Sequence, residues 1–173
     1  MSQPSCVQAE IGHLEAGVLR SGVRLAVDVG AARIGIASCD PSGVLASPLT
    51  TLRRRKGDLG EIARLAADRH AIEIVVGLPT SLAGAPGRAA GQAREFADAL
   101  AIVARVPVRL VDERFTTVIA HAALREAGRD SRQRRGVVDQ AAAASLLQGA
   151  LDEERATGGP PGEVVGEAIG GGG

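Results

Sequence analysis

Apolar and polar positions change their spacing about a third of the way along the chain. Arg24 to Val29 is apolar at nearly every position and predicts a buried strand. Ala31-Ala32 makes a turn after Gly30, and Arg33 to Cys39 predicts its hairpin partner. Asp40-Pro41-Ser42-Gly43 is a strong turn. Val44 to Leu52 predicts a third strand, and Pro48 within it favours an edge position. From Asp58 to about Arg69 the spacing becomes helical, with Leu59, Ile62, Ala63, Leu65 and Ala66 on one side. Ile72 to Val76 is a short, continuous apolar strand of the buried parallel kind. A loop holding Pro79, Gly84, Pro86 and Gly87 leads into a helix from Arg88 to Val103, with Ala89, Ala93, Phe96, Ala97 and Leu100 facing inward. Val106 to Glu113 predicts another strand. Thr116 or Thr117 can cap a helix running to Ala127 and ended by Gly128, and a last helix runs from near Val137 to about Arg155.

The order is three strands, helix, strand, helix, strand, helix, helix. A hairpin meander followed by right-handed crossovers predicts an α/β domain with a mixed five-stranded sheet, three antiparallel strands and then parallel ones, flanked by helices. That is the order of a ribonuclease H-like fold, although other α/β folds share it. The body of the domain is expected over residues 23–155. Residues 1–22 read as a flexible N-terminal arm. Residues 156–173 are rich in Gly and Pro and are expected to be disordered, because they bury too little to offset their ordering entropy.

Composition narrows the function. The chain is 45% hydrophobic but has two Phe and neither Trp nor Tyr. The core must be aliphatic, and a base-stacking platform for single strands is excluded. Nucleic acid could be held only through phosphates and shape. Net charge is zero, so only the distribution of charge is informative. Every Lys or Arg except Lys56 is arginine, and two clusters stand out: Arg53-Arg54-Arg55-Lys56, and Arg129 with Arg132, Arg134 and Arg135. Each is either a phosphate contact or a solvated loop. Cys6 and Cys39 lack metal-type spacing and read as reduced thiols. His13, His70 and His121 likewise show no metal-ligand spacing. The N-terminus lacks a basic head with an apolar run, and no stretch approaches the roughly 20 apolar residues of a membrane span. A cytoplasmic protein with no membrane partner is expected.

Three acids stand out. Asp28 interrupts an apolar strand, a costly place for a carboxylate unless it is paired or binds metal. Gly30, two positions on and on the same face, leaves room for an approaching group. The alternative is a carboxylate capping a nearby turn. Asp112-Glu113-Arg114 lies at the carboxyl end of the last strand, where ligands of α/β sheets gather. Alternation allows only one of Asp112 and Glu113 to join Asp28, and does not say which. Asp139 is expected in the first turn of the final helix, where the helix dipole alone could account for it. It shares a helical face with Ala143, Leu146 and Ala150, which should meet the sheet. Acids converging from two strands and a helix would suit a hard cation, Mg²⁺ or Mn²⁺.

Asp28-Val29-Gly30 with Arg33-Ile34-Gly35, Gly77-Leu78-Pro79, Asp112 through Thr117, and Val138-Asp139-Gln140-Ala141-Ala142 together resemble the motif series of the YqgF/RuvX family. Members of that family are described as Holliday junction resolvases and as pre-16S rRNA nucleases. The resemblance spans roughly Arg24 to Glu154. It implies a ribonuclease H-like fold and an acidic triad falling on Asp28, Glu113 and Asp139, so it selects Glu113 over Asp112. Two departures stand in the motifs: Ala83 precedes Gly84 where relatives often carry an acid or amide, and Phe115 follows Arg114 where Leu is common. The N-terminal arm is longer than in many members.

The expected function is therefore a metal-dependent endonuclease on structured RNA or branched DNA, with Asp28, Glu113 and Asp139 as catalytic metal ligands. Arg114, Arg132, Arg134 and Arg135 would hold the backbone without reading sequence. Processing of the 5′ end of pre-16S rRNA is the leading reading and junction resolution the alternative. The protein would act as a monomer or homodimer, a dimer suiting the two coupled cuts at a junction. A non-catalytic assembly factor gains nothing from buried acids. An actin-like ATPase or sugar kinase needs two such domains, and this chain has room for one.

Overall fold

A computed structural model of the chain describes residues 19–79, 87–113 and 132–166. Three strands open the domain: β1 (Arg24–Val29), β2 (Arg33–Cys39) and β3 (Ala46–Arg53). Then follow α1 (Asp58–Asp68), β4 (Glu73–Leu78), α2 (Arg88–Val103), β5 (Val108–Asp112), α3 (Arg132–Thr157) and β6 (Glu163–Val165). The helix expected from Thr116 or Thr117 to Ala127 lies outside the described residues, as do Ala83 and Phe115. The strands form one sheet in the order β3-β2-β1-β4-β5-β6. β1 runs antiparallel to β2 and parallel to β4, and β5 is parallel to β4. β3, which carries Pro48, is the outermost strand on its side, where a missing N–H costs the ladder least.

Alternation along these strands sends side chains into two separate cores. Leu25, Val27, Ile34, Ile36, Ile74, Val76, Val108 and Leu110 pack on one face, against Ile62 and Ala66 of α1 and Phe96, Ala97 and Leu100 of α2. The other face presents Ala26, Ala37, Cys39, Val75 and Val111 to Ala143, Leu146, Leu147, Ala150 and Leu151 of α3. Its small residues let one long helix lie close across the middle of the sheet. Every residue named in the α3 core is buried, so that face is sealed except at its ends.

The structure corrects four expectations. The sheet has six strands where five were expected, and the sixth comes from the tail expected to be disordered. Gly158 adopts a left-handed φ of 75° and turns the chain back after α3. Glu163–Val165 then pairs antiparallel with β5, with Val108 opposite Val165 and Leu110 opposite Glu163. Composition counted the entropy of Gly and Pro but missed that Val164 and Val165 could cover an otherwise unpaired strand edge. At the other terminus, Leu19 packs against the α3 core, and Gly22 N–H donates to the carbonyl of Pro41 at 2.7 Å. The body therefore begins inside the expected arm, while residues 1–18 lie outside the described residues. Finally, α3 starts at Arg132 rather than near Val137. Gly136 reads as a boundary in sequence, yet it sits within the helix, where Thr51 Oγ1 donates to its carbonyl at 2.7 Å.

The amino end of β1 is held by a buried ion network. Arg24, Glu73 and Glu154 are each about 1% exposed or less. Arg24 reaches Glu154 at 3.1 Å and Glu73 at 3.4 Å. Arg20 bridges both acids at 2.8 Å, and Arg109 meets Glu73 at 3.0 Å. Charges so deeply buried are tolerable only when each is paired and hydrogen-bonded. This network ties β1, β4, β5 and α3 together at the pole away from Asp28.

Candidate active site

Asp28 lies near the carboxyl end of β1 on the α3 face, four residues beyond the ion network and on the same side as buried Ala26. Across the hairpin it stands opposite Gly35. On its other side β1 and β4 pair as far as Val27 with Val76, so Gly77 is the next step along β4. Asp28 is thus flanked by two glycines, and each is covered by part of another acid. A Cβ at Gly77 would lie 2.8 Å from Oε1 of Glu113. A Cβ at Gly35 would lie 1.9 Å from the carbonyl oxygen of Asp139. The bare backbone of β4 makes room for a carboxyl group, and that of β2 lets α3 come down onto the sheet.

The three expected acids therefore share one place. Val111 packs under α3, so alternation along β5 carries Glu113 to the same face and Asp112 to the other. Asp112 instead lines a cavity of about 260 Å³ with Leu78, Arg94, Glu153 and Glu163. Asp139 sits about two turns inside α3, counted from Arg132, so the first-turn position expected for it is wrong and the helix dipole does not explain it. Electrostatics joins the three. Burial, and then the charge of Asp139, holds the Asp28 carboxyl above its ordinary range. Burial pushes Glu113 up to about 7, with further contributions from Asp28 and Asp112. Like charges gathered in a partly desolvated cleft favour a cation among them.

One cation answers part of that demand. Arg33, the first residue of β2, lies on the α3 face with Gly35, and its Nε donates to Oδ2 of Asp139 at 2.5 Å. Among the described residues, no three acid, His or Cys side chains form a ready-made metal cage. The donor set nevertheless fits a hard divalent ion, being all carboxylate oxygen, crowded by like charge, and seated over two glycines.

The expected arginine contacts fall unevenly. Arg114 lies outside the described residues, as do the side chains of Arg132 and Arg134. Arg135 is exposed on the first turn of α3. The Arg53–Lys56 cluster, which was visible in the sequence without a place, is exposed at the site's end of the sheet. Arg33 is in register with Arg53, and Arg54 N–H donates to the carbonyl of Ala32 at 3.1 Å. Arg54 also stacks on Phe96 at 4.7 Å, and Arg55 pairs with Glu61 at 3.0 Å. Sequence reasoning missed Arg33 as a partner of Asp139. Its only signal was its place within the first motif.

Fold and acid placement define a ribonuclease H-like domain with an acidic cleft at the carboxyl ends of its parallel strands. The chain belongs to the RuvX family, described as Holliday junction resolvase, whose model matches residues 22–153. A protein of Nocardioides sp. (strain ATCC BAA-499 / JS614), named "Putative pre-16S rRNA nuclease", is 58% identical over 155 residues, covering 86% of this chain and 99% of its own. One of the same name from Thermobifida fusca is 58% identical over 155 residues, covering 85% and 98%. Among solved structures, Thermus thermophilus RuvC in complex with a Holliday junction substrate aligns with a TM-score of 0.54. It is 15% identical, and the alignment covers 81% of this chain and 99% of that one. At that identity the likeness establishes the shared fold.

Proposed function

We propose that the protein is a metal-dependent endonuclease that hydrolyses phosphodiester bonds in structured nucleic acid, with processing of pre-16S rRNA its role. The observation that carries the chemistry is the convergence of Asp28, Glu113 and Asp139 over Gly35 and Gly77. Asp28, Glu113 and Asp139 would hold Mg²⁺ or Mn²⁺, whose chemistry on a phosphodiester is to activate water and stabilise the leaving oxygen. The chain's own residues do the rest. Asp28, fixed on a central strand, sets the floor of the cleft. Glu113 and Asp139 approach from opposite sides, so a scissile phosphate is held from both. Glu113, pushed up to about 7 in the unloaded cleft, can carry a proton near neutrality and would give it up on taking hold of the ion. Exposed Arg135 and the Arg53–Lys56 loop, both beside the end of β3, give the phosphate backbone a basic track along that edge of the cleft, with no aromatic surface to read bases. The names of the relatives at 58% identity, matched over nearly their full length, support RNA as the substrate.

Junction resolution is the second reading, and the description of the family model favours it. It calls for two coordinated cuts and so for a homodimer. The two readings separate in one assay. Pure protein is incubated with a 5′-extended 16S precursor fragment and with a four-way DNA junction, in Mg²⁺ and in Mn²⁺. Cleavage of the precursor at a defined site, with the junction intact, supports rRNA processing by a monomer or dimer. Paired symmetric nicks in the junction support resolution. Cleavage of neither, by protein that binds both, would overturn the nuclease reading.

A further inference from the structure

Arg33 pairs with Asp139, a member of the acidic triad, from the first residue of β2. Its backbone is fixed. Gly30 N–H donates to the Arg33 carbonyl at 2.9 Å, closing the β1–β2 turn, and the lack of a side chain at Gly30 clears the space beside it. Its side chain is not buried: Arg33 is 32% exposed and Asp139 25%. The pair therefore lies at the mouth of the cleft, its backbone anchored in the turn and its guanidinium open to solvent. The charged groups beside it are Asp139 from α3 and Arg53, its register neighbour on β3, while Asp28 of β1 lies next to Asp139.

We infer that Arg33 is an exchangeable counter-cation: it holds Asp139 while the cleft lacks a metal ion, competes with the ion for that carboxylate, and on release binds a phosphate oxygen of the nucleic acid. This rests on the nuclease reading and adds an order of events to it. The Arg33 guanidinium occupies Oδ2 of Asp139 and places a positive charge against that carboxylate, so a divalent ion arriving at Asp139 must work against it. Once displaced, the guanidinium stands beside Arg53 at the edge where phosphates would lie, and a phosphate is then its nearest strong acceptor. Metal and substrate thereby favour one another's binding, because each relieves the Arg33–Asp139 contact that opposes the other. Arg33 is in this sense a positioning residue that couples loading of the cleft to its substrate.

The test is calorimetric titration of Mn²⁺ into the full-length protein without nucleic acid, for wild type, Arg33→Gln and Arg33→Lys. Removing the competitor should tighten Mn²⁺ binding in Arg33→Gln by roughly two- to fivefold, the range of a partly exposed ion pair. Arg33→Lys keeps a cation and should remain close to wild type. Binding of a four-way junction in Ca²⁺ should weaken in Arg33→Gln, its log–log salt slope falling by about one phosphate contact. If Arg33→Gln does not fold, the wild type still decides. The Arg33 Nε–H resonance, protected by its bond to Asp139, should lose that protection in step with added Mg²⁺. Unchanged or weaker Mn²⁺ binding in folded Arg33→Gln, or an Nε–H that stays protected at saturating Mg²⁺, overturns the exchange and leaves the nuclease reading intact. Absence of Mn²⁺ binding in every protein, wild type included, overturns both.

Discussion

Glu113 is the acid whose protonation is displaced into the neutral range. Its ordinary value is 4.5 and the cleft raises it to about 7, because burial and the charges of Asp28 and Asp112 oppose ionisation. Between those values the folded state binds more protons than the unfolded one. The stability this proton confers is present in full below about 4.5 and is lost as pH rises through 7. Denaturant unfolding of metal-free protein should therefore show stability declining from pH 5 to 7.5, and the decline should be shallower in Glu113→Gln. Parallel curves for the two proteins would mean that Glu113 does not titrate there. Part of this site was legible in residues alone. An acid inside Leu25-Ala26-Val27-Asp28-Val29 violates the strand's own pattern and so announces itself. The choice between Asp112 and Glu113 was not legible from alternation, because alternation does not say which face of β5 lies under α3. Arg33 was not legible as a partner either, since 106 positions separate it from Asp139.

The elements at the two poles of the sheet serve different ends, and each can be tested apart from catalysis. At the amino end of β1, Glu154 accepts from both Arg20 and Arg24. Replacing it with Ala leaves Arg24 buried with fewer partners, and should cost about 3–5 kcal/mol of stability by thermal or denaturant unfolding. Loss of under 1 kcal/mol would show that water takes over the pairing. On the β5 edge, ending the chain after Gly159 removes β6 and its ion pair between Arg94 and Glu163. That truncation should lower stability by roughly 1–3 kcal/mol, the scale of a few backbone hydrogen bonds and partly buried valines. Unchanged unfolding would return the segment to the role of inert tail. Strands and helices of the domain body were readable because hydrophobic period reports burial directly. The sixth strand was not, because three residues carry no period and the reason they pair is an edge left open far away in sequence. The start of α3 was missed for a related cause: packing across β1, β2 and β3 holds Gly136 helical against its local preference.

For the molecule as a whole, zero net charge means that any grip on a polyanion must come from local fields. Binding should weaken steeply with salt, with a slope set by the number of phosphates contacted. Arg135→Ala should weaken binding to all sequences alike, because phosphate contacts carry no base information. An affinity indifferent to salt would point to some other mode of recognition. The α/β class and the order of the first five strands were legible from periodicity, while ordered motifs along the chain identified the family resemblance. Metal dependence is the claim on which the functional account stands. Its most direct test is the rate of precursor-RNA or junction cleavage by wild type and Asp28→Asn, in Mg²⁺ and after chelation, with folding and nucleic-acid binding measured on the same samples. Asp28→Asn should stay folded and bound while cleaving at least about a hundredfold more slowly, as wild type should after chelation. A folded Asp28→Asn protein that cleaves at the wild-type rate, or wild-type cleavage that persists without divalent metal, would contradict the account.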